Sequence, residues 1–211
     1  AMTDPHQILH QLFSPAFPTG AFAWSHGFET RIADGTLAKA ADADALIRDT
    51  LEHGAGWSDA VLAAQAAGGG DLAALAELAA ALAPSSERRA ETVEQGAAFA
   101  ATVRGVWAAE VPDAAYPVTV GAALRALDLP VEAGLRLMLQ GFAANLASAC
   151  VRLVPLGQTD GQRITAAVQP LCAALAARAI TADLDDLGGF APMLDVAAMR
   201  HETLRSRVFR S

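Results

Sequence analysis

Wherever this chain is apolar, its apolar residues recur three and four positions apart, and no stretch alternates with period two. Leu72, Leu75, Leu78 and Leu82, following Asp71 as a cap, are the clearest case. That spacing lines one face of a helix, whereas a half-buried strand requires alternation. The breaks agree, because Gly68-Gly69-Gly70, Pro84, Pro130 and Pro155-Leu156-Gly157 each interrupt a helical pattern. The expected helices run from His6 to Phe13, Ser25 to Ala33, Asp42 to His53, Asp59 to Ala67 and Asp71 to Pro84. They continue from Ser86 to Glu110, Tyr116 to Leu127, Pro130 to Val154 and Asp160 to Ile180, with a helical tail from Asp195. The expected class is all-α with no sheet, a single-domain bundle over residues 1–211 of about nine or ten helices.

Composition supports packed helices. The chain is 53% hydrophobic but only 6% aromatic and 18% charged, so alanine and leucine supply most of the apolar surface. A mean hydropathy of +0.30 implies that a partner or a second copy of the chain covers some of it. The longest apolar run, Leu137 to Val151, is interrupted by Gln140, Asn145 and Ser148 and is shorter than the ~20 residues of a membrane helix. It reads as a core helix. No basic segment followed by an apolar stretch opens the chain, so the expected location is the cytoplasm, with no membrane contact. Cys150 and Cys172 stand alone in apolar helices and read as buried thiols.

The net charge is −8, which disfavours nucleic acid. Lys39 is the single lysine and lies outside any GxxxxGK[ST] pattern, so the chain carries no P-loop. His201-Glu202 begins like a zinc-protease helix, but Arg205 stands where the second histidine would lie. Neither GxSxG nor SxxK is present. His6 and His10 are the one histidine pair four apart, and Asp183, Asp185 and Asp186 lack calcium-loop spacing. The reading is a protein that is not an enzyme and has neither a metal site nor a cofactor of its own.

Two segments stand out from this background. Ser14 to Glu29 holds two prolines, two glycines and four aromatics, a rigid turn that enters a helix with Phe17, Phe22, Trp24 and Phe28 as anchors. It either closes the chain's own core or faces a partner. At the other end, Arg200, Arg205, Arg207 and Arg210 place a basic tail on an acidic body, suited to paired carboxylates.

Three stretches together resemble the urease accessory protein F family. They are Gln11–Glu29 with its Ser25-His26-Gly27-Phe28-Glu29 end, Asn145-Leu146 with Val151-Arg152 through Gln162, and Ala191–Asp195 with Met199–Ser211. Their order and spacing extend the likeness over the whole chain. The resemblance implies an all-helical homodimer that binds a D/H accessory protein, a nickel-carrying accessory GTPase (the G subunit) and apo-urease. It would couple GTP hydrolysis to nickel insertion without being a GTPase or a nickel store. The alternative is a true GTPase-activating protein that supplies an arginine, Arg152 or Arg207, to its partner.

The resemblance makes the first 30 or so residues and the tail from about Asp195 the partner-binding segments. Met199, Arg200, His201, Glu202, Leu204, Arg207, Val208, Phe209 and Arg210 are then the candidates for the D/H protein. As a helix, the tail would offer Met199, Leu204 and Val208 to an apolar groove with arginines at the rim, unless it docks on its own body. Trp24, Ser25, His26, Glu29, Arg152, Gln158, Asp160 and Gln162 are candidates for the GTPase or the dimer surface. Glu29 is either a partner-facing carboxylate or a solvated helix acid; Arg152, Gln158, Asp160 and Gln162 either line a polar path or satisfy helix ends. The chain departs from the family in having Trp24 for tyrosine, Phe28 for leucine and Arg205 for an aromatic.

Overall fold

A computed structural model describes residues 4–211. Among them lie eleven α-helices and no strand. These are α1 (Pro5–Leu12), α2 (Phe28–Ala33), α3 (Ala40–Glu52), α4 (Ala55–Gly68), α5 (Leu72–Ala81), α6 (Ser86–Trp107), α7 (Tyr116–Ala126), α8 (Val131–Leu153), α9 (Gln158–Ala167), α10 (Gln169–Thr181) and α11 (Pro192–His201). Short 3-10 turns occupy Ala21–Ala23 and Leu184–Asp186. The all-α expectation therefore holds.

The apolar run of the sequence is the axis of the fold. Along α8, Leu135, Leu139, Ala143, Leu146 and Cys150 are fully buried at helical spacing. α1, α2, α3, α4, α7, α9 and α10 all pack against this helix. Capping follows the local chemistry. Asp71 accepts the N–H groups of Ala73 and Ala74 at 2.9 and 3.2 Å, and Ser85 accepts that of Arg88 at 3.1 Å.

Three local readings change. The helix expected from Asp160 to Ile180 is two, α9 and α10, meeting at Val168, because Pro170 lacks an N–H and its ring clashes with a helical carbonyl four residues back. The span Gln158–Thr181 is apolar and long enough for a membrane by composition, yet it bends there. α4 starts at Ala55, ahead of the expected Asp59, so Gly56 sits inside the helix, where a Cβ would lie 2.6 Å from Leu51 Cα. By sequence Glu87, Arg88, Glu91 and Glu94 form a wet face on α6, and that face is half-hidden. Glu94 is exposed, but Arg88 and Glu91 are buried beneath residues from the chain's two ends.

Candidate partner-binding surface

The Ser14–Glu29 turn takes the left-handed backbone that its glycines permit. Gly20 and Gly27 have φ of 74° and 80°, and His26 has 60°. Gly27 also packs directly on α11, where a Cβ would meet Ala198 N at 2.8 Å. Phe17, Trp24 and Phe28 are buried, and Phe17 lies 5.0 Å from Phe99 and 6.5 Å from Trp107 between ring centroids. Phe22 alone of the four aromatics projects outward, 72% exposed.

The tail runs back across this turn. Helix α11 stops at His201, so Leu204 and Val208 lie in irregular chain and not on a helix. The helix ends because the following backbone finds other partners. Glu29 Oε1 accepts the N–H of Val208 at 2.7 Å, and Oε2 that of Phe209 at 2.9 Å. Ala23 O accepts from Arg210 N at 2.8 Å, and Ser211 O accepts from Ser25 N at 2.8 Å. The Ser25 hydroxyl donates to the same Ser211 oxygen. His26 N donates to Ser211 Oγ at 3.2 Å, which in turn donates to Glu91 at 3.0 Å. Ser25, His26, Glu29, His201, Phe209 and Ser211 are all buried by this docking.

Three of the four tail arginines find carboxylates. Arg200 binds Asp34 at 2.6 and 3.1 Å, Arg207 binds Glu87 at 2.6 Å, and Arg210 binds Glu94 at 2.6 and 2.9 Å. Arg210 also lies over Trp24, 4.2 Å from the ring centroid. Arg152 lies over Phe209 and donates to Phe22 O at 3.0 Å. Glu202 accepts from Ser86 N and Oγ, both at 2.8 Å, and these bonds hold its carboxyl below the usual value. The two candidate sets named from the sequence thus touch: Trp24, Ser25, His26, Glu29 and Arg152 form the bed on which the tail lies. Gln158, Asp160 and Gln162 stand apart at the start of α9, where Asp160 accepts Gly157 N at 3.3 Å and pairs with Arg163 at 2.9 Å.

Behind the docked tail is a cavity of about 180 Å³, with His26, Asp59, Arg88 and Asp195 among its walls. Burial, then the nearby Arg88, depress His26 well below its ordinary value, so its ring is neutral. Desolvation pushes Asp59 up to about 6 and lowers Arg88 to about 10. Among the described residues no group of three or more His, Cys, Asp or Glu is placed to hold a metal ion.

Sequence reasoning missed the outer face of α11. Met193, Val196 and Met199 are exposed at 61%, 46% and 49%, three residues apart, and Phe190 just before them is 86% exposed. Their spacing was visible, but with α11 placed no earlier than Asp195 the stripe had no helix to sit on. The carboxylates that receive the tail, Asp34, Glu87 and Glu94 from its arginines and Glu91 from Ser211, carried no signal of it, since each looks like an ordinary acid on or beside a helix.

A family model for UreF matches residues 37–169. Urease accessory protein UreF of Cereibacter sphaeroides (strain KD131) is 54% identical over 203 residues, covering 96% of this chain and 97% of that one. The protein of the same name from Paracoccus denitrificans is 49% identical over 96% of this chain and 94% of its own. That from Roseobacter denitrificans is 46% identical over 99% of this chain and 95% of its own. The matched region includes α3 to α9, and the Roseobacter relative, aligned over 99% of this chain, extends the likeness to both ends; the chain belongs to the UreF family of urease accessory proteins.

Proposed function

We propose that this protein is a non-catalytic scaffold in urease maturation, which dimerises and bridges the D/H accessory protein, the nickel-carrying GTPase and apo-urease. In this reading it couples GTP hydrolysis to nickel delivery in the cytoplasm, and nickel is cargo of the assembly. The observation that carries it is the exposed apolar stripe Phe190, Met193, Val196 and Met199 beside exposed arginines, on a helix held rigidly from behind. A contiguous apolar patch rimmed by charge is the usual anatomy of a protein interface. The docked tail adds Val208, exposed at 61%, and leaves Arg205 free of the pairings that engage its neighbours. Arg152 and Arg207, the two arginines that an activator would extend towards a γ-phosphate, are both engaged within the chain, which favours a scaffold over an arginine donor.

The test is co-purification with the D/H accessory protein. Met193→Asp with Met199→Asp changes only exposed positions, so the variant keeps its thermal midpoint within a few degrees and loses the partner. Retained binding by the folded double variant would sink the assignment. These substitutions are cleaner than a deletion from Met199, which would also remove the buried His201, Phe209 and Ser211.

A further inference from the structure

The sulfur atoms of the chain divide between its interior and one exposed face. Cys150 on α8 and Cys172 on α10 are fully buried, and desolvation pushes their thiols up to about 12 and about 11. Oxidants attack the thiolate, so neither cysteine competes for them. Met138, also on α8, is buried. Met193 and Met199 on α11 are exposed, on the same stripe with Val196 between them. A thioether needs no deprotonation to react, so exposure governs its oxidation. Among the described residues, these two carry the sulfurs that an aqueous oxidant reaches.

The packing of α11 also limits what oxidation can change. Leu194, Ala197 and Ala198 fill its inner side, a Cβ on Gly27 would come 2.8 Å from Ala198 N, and Arg200 is paired with Asp34. Turning the oxidised side chains inward would break this packing, so they stay on the surface. We infer that Met193 and Met199 are an oxidation site for small peroxides, and that their conversion to sulfoxides releases the partner docked on this face. The release rests on the reading of the stripe as the seat of the D/H protein, whereas the selectivity of the site rests on the fold alone.

In the reaction a sulfur lone pair attacks one oxygen of hydrogen peroxide. The S–O bond forms as the O–O bond breaks, and the proton on the transferred oxygen passes to the departing hydroxide, which leaves as water. Sulfur gives up two electrons and the peroxide takes them. Each sulfoxide puts a polar, hydrogen-bond-accepting oxygen where the thioether was apolar. Seated in an apolar groove without a donor, that oxygen loses its water and gains nothing in return. A dithiol reverses the step: the oxygen leaves as water while the two thiols close a disulfide.

The test treats the full-length protein with hydrogen peroxide at neutral pH, removes the peroxide, and locates sulfoxides by peptide mass spectrometry. Met193 and Met199 should oxidise at least about tenfold faster than Met138, with both cysteines still free thiols. The treated protein should keep its thermal midpoint within a few degrees and bind the D/H protein at least about tenfold more weakly. Methionine sulfoxide reductases with dithiothreitol should restore the affinity. Whatever the untreated affinity of Met193→Leu with Met199→Leu, peroxide should alter it by less than about twofold, since leucine carries no sulfur. Oxidation of Met138 as fast as the exposed pair overturns the site. Unchanged affinity after both have been oxidised, or a loss that persists in the leucine variant, overturns the release. An untreated protein that fails to bind overturns the reading of the stripe, and the release with it, while the peptide map decides the site separately.

Discussion

The guanidinium of Arg152 lies over the ring of Phe209, its central carbon 4.4 Å from the ring centroid. The first residue belongs to the last turn of α8 and the second to the tail, so this contact joins the hub of the fold to its final residues. Phe209→Ala should cost roughly 3 kcal/mol by removing a buried ring, and Arg152→Ala less. A double-mutant cycle on urea denaturation should return a coupling of about 0.5–1 kcal/mol between them. Additive losses would mean that the stacking contributes nothing beyond packing.

Glu29 is the acceptor for two consecutive tail amides, and truncating it strands both donors in a buried site. Glu29→Ala should lower stability by about 2–4 kcal/mol, with Glu29→Gln intermediate because its amide oxygen still accepts. Trypsin provides the local readout: cleavage after Arg205 and Arg207 should accelerate in Glu29→Ala well before the core opens. Equal cleavage in variant and parent would place the tail's anchorage elsewhere.

Two glycines of the turn separate conformational strain from collision. Both Gly20 and Gly27 have positive φ, but a Cβ on Gly20 meets nothing within 4 Å, whereas one on Gly27 comes 2.8 Å from Ala198 N. Gly20→Ala should cost roughly 1 kcal/mol for backbone strain alone. Gly27→Ala should cost at least about 2–3 kcal/mol more, since α11 must move away from α2. Thermal melts of the pair decide it, and equal shifts would contradict the close approach.

Asp59 gives the fold a pH dependence of definite sign. Burial raises its pKa from 3.8 to about 6 in the folded protein, so between those values the folded state keeps a proton that the unfolded chain has released. Its protonated form favours folding fully below the lower value, and this advantage is lost as the pH rises through about 6. Asp59→Asn should therefore be more stable than the parent at pH 7.5 by roughly 1–3 kcal/mol. The gap should narrow as denaturation is repeated towards pH 4.5. A gap that stays constant with pH would remove Asp59 as its source.

The helices were legible because their information is local. Apolar spacing of three and four, Asp71 as a cap, and the prolines at helix starts all act within a turn or two of chain. The break at Val168 was equally local, since Pro170 was in view, but the apolar pattern on either side masked it. The rigidity of the Ser14–Glu29 turn and the basic character of the tail were also written in neighbouring residues. So was the family.

What lay beyond reach was the pairing of the two ends. Nothing in the spacing of Glu29, Glu87, Glu91 and Glu94 marks them as the acceptors of residues more than a hundred positions later, because a carboxylate on a helix looks the same whether water or a distant donor awaits it. Only the packing of α11 against α2 and α6 brings these acids within hydrogen-bonding distance of Arg207, Val208, Phe209, Arg210 and Ser211. That same packing turns Met193, Val196 and Met199 outward, since one side of α11 is already spent on Gly27 and His201 faces the acids. Short-range periodicity decided which segments are helices; long-range burial and charge pairing decided which of their faces remain to meet another protein.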